Sequence, residues 1–327
     1  MKPPEFILNI SSLSQLRKPD PTILYDMLII GGGPAAMSAA IYAARKMVNL
    51  IILSIDFGGL IKESAEIENY LGFQSINSLD LAARFEEHVK GFDIPASLGI
   101  AVKKIEKKEN IFIAMMEDGT IYSGRTVIFA TGGRHRSLNV PGAKELVGKG
   151  VSYCATCDAP LFQSKKVIII GGGNSAFSTA IDLIRFKADI VLVNFSEGWQ
   201  ADAILQQRVK YYDKIKYLDS HEVISIGGDN KVENVILRNR KTGKEVIIDA
   251  NGVFIEIGLV PNSSAVSDLV KLNEIGEVIT DCLCRTSVEG FFSAGDVTSI
   301  PHKQIIISAG EGAKAALSAY EYLLHMI

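Results

Sequence analysis

The chain has few cysteines, no long apolar run and no excess of charge of either sign, and each of these absences excludes a class of protein. Only 4 cysteines occur in 327 residues, too few for the disulfide framework of a small secreted domain. No stretch reaches the roughly 18 consecutive apolar residues of a membrane-spanning helix, and serines and prolines interrupt the short apolar run near the N-terminus. With 34 basic against 37 acidic residues, the surface has no field for holding nucleic acid or an anionic membrane. We therefore expect a cytoplasmic protein that binds neither nucleic acid nor a membrane.

What the chain does contain is enough apolar sequence for two cores, and one pattern that occurs twice. Its 327 residues, 47% of them hydrophobic, suit about two domains. The runs YDMLII (25–30) and KKVIII (165–170) lead into GGGPAAMSAAIYAARK and GGGNSAFSTAIDLIRF. In each, the aliphatic run is typical of a buried parallel strand, the glycines of a tight turn, and the small apolar residues of a helix close to the sheet. A further apolar run, at 50–53 and at 190–193, completes a βαβ unit each time.

The position of the second unit in mid-chain indicates that it is an insertion. Further strands are predicted at 126–130 and 253–257, and the charged stretches 103–110 and 238–245 are predicted to be hairpins. The tail FFSAGDV from Phe291, with the periodic run 305–324, predicts a closing strand and helix that need a sheet to join. The prediction is an α/β fold of two Rossmann-like three-layer domains, in which 25–135 and 258–327 form the first domain and 136–257 the inserted one. The crossovers near 132–138 and 258–262 would form a hinge, and residues 1–24 are an N-terminal extension of unassigned role.

The first glycine-rich turn predicts a diphosphate site. Gly31, Gly33 and Ala36 give G-x-G-x-x-A between a strand and a helix, which lets backbone N–H groups and the helix N-terminus meet a pyrophosphate. The alternative is a turn that holds no ligand. The ribose-binding acid expected about 20 residues further on is missing from the strand end, where Ser54 and then Asp56 stand.

The pair Cys154 and Cys157 forms C-x-x-C, whose thiols can close a small reversible disulfide ring. A structural zinc site is the alternative, but it needs four ligands, and the remaining cysteines, Cys282 and Cys284, have C-x-C spacing in a segment that we expect to be a strand. We interpret these two as small core residues, with a second redox pair as the alternative. Asp158 suits acid–base work on a thiolate if burial raises its pKa, and it could also cap a helix.

The order of five motifs resembles that of the low-molecular-weight thioredoxin reductases. These motifs are GGGPAA, ATGG (130–133), CATCD, GGGNSA and SAGDV…KQ…SAG, and the match runs from about residue 25 to the C-terminus. The resemblance implies an FAD domain interrupted by a pyridine-nucleotide-type domain that carries the dithiol, and a homodimer. It also implies an enzyme that passes electrons from FAD through Cys154 and Cys157 to thioredoxin or a similar protein disulfide.

Roles for individual residues follow from the same resemblance. Cys157 would react with the flavin at C4a and Cys154 with the partner disulfide, while Asp158 gives and takes the proton. Within the FAD site, Gly31, Gly33 and Ala36 would hold the diphosphate, Gly295 and Asp296 the ribityl-phosphate part, and Gln304 the pyrimidine side of the ring. The full set of implied FAD contacts is Gly31, Gly33, Pro34, Ala36, Gly59, Asn69, Thr131, Gly132, Gly295, Asp296, Lys303 and Gln304. No metal site is implied.

Three departures from the family pattern bear on the electron donor. Residues 194–200 (NFSEGWQ) stand where NADPH-using members carry H-R-R-x-x-x-R, so no Arg or Lys is left there for a 2′-phosphate, and Glu197 would repel it. Residues 177–179 (FST) replace a pair of acids, and Lys303 replaces an arginine.

Family members without the basic pattern take electrons from donors such as ferredoxin or a reduced deazaflavin, and we expect such a donor here. Two alternatives remain. One is an NAD(P)H-dependent reductase with an atypical nucleotide site, including an NADH-linked disulfide or peroxiredoxin-system reductase, since Gly171 and Gly173 still offer a diphosphate turn. The other is a flavin module that no longer reduces thioredoxin.

Overall fold

The computed structural model describes residues 16–63 and 66–326 and divides into two compact units. Its elements follow in chain order: β1 (Leu24–Ile30), α1 (Pro34–Arg45), β2 (Leu50–Leu53), a 3₁₀ helix (Gly59–Glu63), β3 (Glu66–Ile67), β4 (Ile76–Asn77), α2 (Ser78–Lys90), β5 (Ala96–Ser97), β6 (Val102–Lys108), β7 (Ile111–Met116), β8 (Ile121–Phe129), β9 (Gly133–His135), β10 (Val151–Ser152), α3 (Ala155–Asp158) and a 3₁₀ helix (Ala159–Phe162). There follow β11 (Lys166–Ile170), α4 (Asn174–Arg185), β12 (Asp189–Val193), α5 (Ala203–Lys210), β13 (Ile215–Leu218), β14 (His221–Gly227), β15 (Asn234–Asn239), β16 (Glu245–Asp249), β17 (Gly252–Ile255), β18 (Leu259–Pro261), a 3₁₀ helix (Ser264–Val266), β19 (Phe291–Ser293) and α6 (Ile305–His325).

The first unit contains residues up to 62, residues 78–134 and residues from 260 onward, and it is built on one sheet. The strand order is β5-β2-β1-β8-β7-β6, with β19 paired to the end of β8. Strands β5, β2, β1, β8 and β19 run parallel, and β6 and β7 extend β8 as an antiparallel meander. One edge of β8 pairs with β1 from Ser123 onward, and the other edge pairs first with β7, at 121–124, and then with β19, at 127–129.

Side-chain alternation along the central strand gives this unit two cores. In β1, Met27 and Ile29 point to the core shared with α1 and α6, whereas Leu28 and Ile30 point to the core shared with the meander. Helices α1 and α6 meet through alanines, which lets their backbones pack closely. At the contact, a Cβ on Gly312 would lie 1.9 Å from the Ala35 carbonyl oxygen, so glycine is required there.

The second unit contains residues 63–77 and 135–259. Its five parallel strands lie in the order β10-β17-β11-β12-β13, and β14-β15-β16 form a separate antiparallel sheet. Along β11, Val167 and Ile169 join the core that includes α4, while Ile168 and Ile170 join the core beneath the antiparallel sheet. The unit therefore has three layers, with the parallel sheet in the middle.

The predicted fold class is confirmed: the chain is α/β with two Rossmann-like three-layer units. The two predicted hairpins are present as β6–β7 and β15–β16. The predicted domain limits stay a prediction, although the compact units change near 134/135 and 259/260, and residues 63–77 group with the second unit. Most of the extension, residues 1–15, lies outside the described residues. Within the described part of the chain, no helix is both long and apolar enough to cross a membrane.

The prediction of a strand around Cys282 and Cys284 is wrong. Asp281 accepts hydrogen bonds on its side chain from the N–H groups of Leu283 and Arg285, both at 2.9 Å, and these bonds hold the segment in a turn. Cys284 lies buried in the core of the first unit, as predicted, but Cys282 is exposed. The burial prediction therefore holds for one cysteine of the two.

Candidate active site

Cys154 and Cys157 are joined as a disulfide at the start of the short helix α3, with their Cα atoms 5.3 Å apart. Cys154 is the N-cap residue, and its Sγ accepts a hydrogen bond from the Cys157 N–H at 3.2 Å. A backbone N–H that donates to the sulfur favours its charged form, so this bond would stabilise a thiolate at Cys154. The arrangement suits reversible reduction of the disulfide.

The carboxyl group of Asp158 lies beside this disulfide in a poorly hydrated place. It is half-buried, and Ser152 Oγ donates a hydrogen bond to its Oδ2 at 2.6 Å. Burial raises the pKa of Asp158, and the bond from Ser152 opposes that shift. A raised pKa is what acid–base work on a thiolate requires. Asp158 also occupies the N-cap position of the 3₁₀ helix Ala159–Phe162, but its side chain makes no capping bond there.

Asn69, which the family resemblance assigned to FAD, lies in the same unit as the disulfide. Its Nδ2 donates to Cys157 Sγ at 4.0 Å. An aromatic pair lies next to the cysteines in sequence, because Tyr153 stacks on His135 with ring centroids 4.4 Å apart. Burial lowers the pKa of His135, so the ring is held toward its neutral form.

The first glycine-rich turn has the geometry that close approach to a diphosphate needs. Gly31 has φ +122°, and a Cβ on it would lie 2.2 Å from the Ala130 carbonyl oxygen. Gly33, in contrast, has extended backbone, and a Cβ there would meet nothing within 4 Å. Pro34 is the first residue of α1, where it lacks an N–H that the helix would leave unpaired, and Ala36 is fully buried. Gly33 therefore opens space at the N-terminus of α1, and these residues fit the diphosphate of FAD.

Neighbouring residues that the resemblance assigned to FAD surround this turn. A Cβ on Gly59, whose φ is +58°, would lie 3.5 Å from Gly33 Cα. Thr131 Oγ1 donates to the Asn262 carbonyl at 2.8 Å, and Asn262 N–H donates to the Gly132 carbonyl at 3.0 Å. Residues 131–132 are thus held by hydrogen bonds to Asn262, which belongs to the same unit.

Asp296 is held at the start of the closing segment. Gly295 before it has φ +76°, and Ser308 Oγ, on α6, donates to Asp296 Oδ1 at 2.9 Å. Burial raises the pKa of Asp296, against the effects of Ser308 and Lys303. Lys303 itself forms an ion pair with Glu277 at 2.9 Å, and Gln304 is the N-cap residue of α6. The structure thus brings Gly295, Asp296 and Gln304 to the unit that holds the first turn.

The loop at residues 194–200 contains no Arg or Lys of its own, but the β15–β16 hairpin brings two cations to it. Arg240 lies 3.7 Å over the Phe195 ring and donates to the Phe195 carbonyl, and Lys241 pairs with Glu197 at 2.5 Å. Both cations contact the loop itself.

Phe177, one of the residues that replace the pair of acids, is a core residue of the second unit. It is fully buried and packs edge-on against Trp199, whose ring in turn packs against Tyr217. The packing of Trp199 against Phe177 and Tyr217 therefore anchors the loop at 194–200.

The exposed thiol of Cys282 and the buried thiol of Cys284 show no sign of a second redox pair. Both are free, and Cys284 Sγ donates to Glu311 Oε2 at 3.1 Å. Burial, followed by the contact with Glu311, raises the pKa of Cys284 far above its usual range, which makes it a poor nucleophile. Across residues 16–63 and 66–326 no group of three His, Cys, Asp or Glu side chains forms a candidate metal site.

Sequence reasoning missed two residues that the structure adds to these sites. Ser152 bonds Asp158, and a serine six residues before an aspartate gives no local signal. Glu256 lies at the second glycine-rich turn, where Ser175 and Thr179 donate to its carboxyl group. Aligning the two repeats in the chain would have found it, since the corresponding residue at the first turn is Ala130.

Comparison with known proteins places this arrangement among characterised sequences and folds. A family model described as "Pyridine nucleotide-disulphide oxidoreductase" matches residues 25–316. The F subunit of alkyl hydroperoxide reductase from Staphylococcus aureus (strain MSSA476) is 40% identical over 300 residues, and a Bacillus subtilis (strain 168) protein named NADH dehydrogenase is 41% identical over 300 residues. Each alignment covers 92% of this chain and 59% of the relative, so the chain spans less than two thirds of the relatives' length. The crystal structure of thioredoxin reductase from Streptococcus pyogenes matches with a TM-score of 0.88 at 38% identity, covering 92% of this chain and 99% of that one.

Proposed function

The chain belongs to the pyridine nucleotide-disulphide oxidoreductase family, and on that premise we propose that it is an FAD-dependent reductase of protein disulfides. The family binds FAD. The observation that carries the proposal is the Cys154–Cys157 disulfide at the start of α3, with the half-buried carboxyl of Asp158 in the same turn of chain. A carboxyl whose pKa burial raises suits acid–base work on a thiolate.

Cys154, Cys157 and Asp158 can together carry out the sulfur exchange and the proton transfer that disulfide reduction needs. Reducing a disulfide takes up two electrons and two protons and yields two thiols; bound FAD, once reduced by the donor, would supply the electron pair and one of the protons. In the proposed scheme Asp158 holds one proton and delivers it to a cysteine sulfur, and Ser152 orients the carboxyl by donating to its Oδ2. The dithiol then reduces the partner by exchange: Cys154 attacks the partner disulfide, forms a mixed disulfide and releases one partner thiol. Cys157 then attacks the Cys154 sulfur, which closes the ring again and releases the second partner thiol.

The partner is proposed to be thioredoxin or a thioredoxin-like protein. The likeness to a thioredoxin reductase over 99% of that structure's length supports this, since nearly the whole of such a protein has its counterpart here. A homodimer is part of the same proposal.

The electron donor is proposed to be other than NADPH, with ferredoxin or a reduced deazaflavin as candidates. Lys241, one of the two cations beside the loop at 194–200, pairs with Glu197, and Arg240 is stacked on Phe195. A 2′-phosphate would have to displace these contacts and approach the Glu197 carboxylate, which repels it.

An NADH-linked reductase serving a peroxide-reducing partner is the second candidate. The observations that favour it are the two relatives, one named for alkyl hydroperoxide reductase and one for NADH dehydrogenase, together with the second glycine-rich turn. Gly171 has φ +147°, much as Gly31 has +122°, so the backbone of a dinucleotide turn is retained.

The decisive experiment titrates the purified flavoprotein under anaerobic conditions while the flavin absorbance is followed. NADPH, NADH, reduced ferredoxin and reduced deazaflavin are added separately, and oxidised thioredoxin is then added to the reduced protein. We expect fast bleaching with a non-nicotinamide donor and re-oxidation by thioredoxin. Fast bleaching by NADH would favour the second candidate, and reduced protein that leaves thioredoxin oxidised would reject the proposed reductase activity.

A further inference from the structure

The two strand-turn-helix openings of the chain correspond residue by residue, which makes the first a reference for the second. Strands β8 and β17 occupy the same place beside β1 and β11. One residue after β8, Ala130 donates its N–H to the Ile30 carbonyl at 2.8 Å. One residue after β17, Glu256 donates to the Ile170 carbonyl at the same 2.8 Å. Ala130 and Glu256 are therefore equivalent positions.

The helices that follow the two turns differ at the positions facing these residues. The second and sixth residues of α1 are Ala35 and Ala39, whereas those of α4 are Ser175 and Thr179. Ser175 Oγ donates to one carboxyl oxygen of Glu256, and Thr179 Oγ1 donates to the other at 2.7 Å. Three alanines at the first turn thus correspond to one hydrogen-bonded Ser–Thr–Glu group at the second.

This group lies where an open parallel sheet binds a dinucleotide. In the order β10-β17-β11-β12-β13, the chain passes from β11 to β12 on one side and reaches β17 on the other. The carboxyl ends of β11 and β17 therefore flank the switch point, which is the usual crevice for a dinucleotide. Gly171 directly follows β11, and a Cβ on it would lie 2.3 Å from the carbonyl oxygen of Glu256. The carboxyl belongs to the residue that borders the turn itself.

A carboxyl in this position does not fit a pyridine nucleotide. The dinucleotide diphosphate carries negative charge and is held by backbone N–H groups at the helix N-terminus. Burial raises the pKa of Glu256, and the hydrogen bonds that Ser175 and Thr179 donate oppose this shift, because they favour the ionised form. A half-buried carboxylate is poorly screened by solvent, so its repulsion of a second anion is strong. Ala130 brings no such charge to the first turn.

We propose that Glu256, held by Ser175 and Thr179, closes the second glycine-rich turn to the diphosphate of NADH and NADPH alike. It is a specificity-determining residue, and it directs the flavoprotein toward a donor that does not bind there. The inference rests on the proposed function, because it explains why the retained dinucleotide turn is not the point of electron entry. Glu197, in contrast, would affect NADPH alone, because its charge repels the 2′-phosphate, which NADH lacks.

The test compares nucleotide binding by the intact flavoprotein and by Glu256→Gln, which keeps the side-chain volume and removes the charge. Isothermal titration with NADH, NADPH and ADP-ribose, at a mildly alkaline pH that favours the ionised carboxyl, gives each dissociation constant. We expect Glu256→Gln to bind all three at least tenfold more tightly than the wild type, equivalent to about 1.4 kcal/mol. The triple variant Ser175→Ala, Thr179→Ala, Glu256→Ala, which copies the first turn, should show the same gain.

The matched control is Glu233→Gln, which removes an exposed charge from the same unit and should leave all three constants unchanged. Unchanged binding in Glu256→Gln would overturn the inference. Weaker binding would overturn it as well, since Glu256 would then be a nucleotide ligand. Flavin content and circular dichroism check that each variant is folded.

A second readout separates failure of the inference from failure of the proposed function. Wild type and Glu256→Gln are photoreduced without any nucleotide and mixed with oxidised thioredoxin. Equal transfer in both, with no change in nucleotide affinity, would overturn only the role of Glu256. Absence of transfer in both would reject the proposed function whatever the affinities are.

Discussion

Replacing Gly33 by alanine should weaken FAD binding without weakening the fold. Gly33 has φ −80° and ψ −176°, which any residue adopts, and an added Cβ would meet no atom within 4 Å. The substitution therefore adds only a small N-cap cost, about 1 kcal/mol or less. Its effect on the ligand is larger, because the methyl group enters the space at the N-terminus of α1 that we assign to the diphosphate.

The magnitude follows from the hydrogen bonds that this methyl group would disrupt. A backbone N–H bonded to a charged phosphate contributes roughly 1.5–3 kcal/mol. Losing one such bond lowers the affinity for FAD about 10- to 150-fold, at about 1.4 kcal/mol per factor of ten. Losing two would leave the protein colourless on purification.

The chain supplies its own control in Gly173→Ala. Gly173 is the N-cap residue of α4, has φ −95° and ψ −172°, and would also place its Cβ in open space. Both variants should melt within a degree or two of the wild-type apoprotein, in line with the small N-cap cost. Only Gly33→Ala should show a higher dissociation constant for FAD, measured by flavin fluorescence quenching. Wild-type FAD affinity in Gly33→Ala, or equal loss in both variants, would refute the assignment of the first turn.

Further predictions concern the dithiol, its carboxyl neighbour and the loop at 194–200. Cys157→Ser should abolish reduction of thioredoxin while flavin stays bound, whereas Cys154→Ser should show a charge-transfer shoulder in the absorbance spectrum, and reversed spectra would exchange the two roles. Asp158→Asn should raise the melting temperature at pH 7, because burial raises the pKa of Asp158 above 3.8 and the ionised form destabilises the folded state. That gain should shrink as the pH falls through the raised pKa toward 3.8, and a gain that instead grows would contradict the direction of the shift. Glu197→Gln releases Lys241 and should improve binding of NADPH severalfold but not of NADH; equal improvement would show that the loop does not face the 2′-phosphate.

Local patterns in the sequence were enough to predict most of the fold. The run at 50–53 became β2 without change, and the periodic run at 305–324 became α6, because an aliphatic strand or an apolar-periodic helix is specified by neighbouring residues. The turn around Cys282 was missed for an equally local reason. Asp281 offers its carboxylate to two nearby N–H groups, and this competes with strand pairing.

The sequence by itself also determined the chemistry of the candidate site, since the C-x-x-C pair, Asp158 and the two glycine-rich turns are each contained within a few residues. Tertiary structure alone decided what surrounds them. The bonds from Ser175 and Thr179 to Glu256 join residues 81 and 77 positions apart, and Arg240 reaches Phe195 across 45. Such contacts depend on which strands become neighbours in a sheet, and strand order is set by packing of the whole unit, not by the residues that meet.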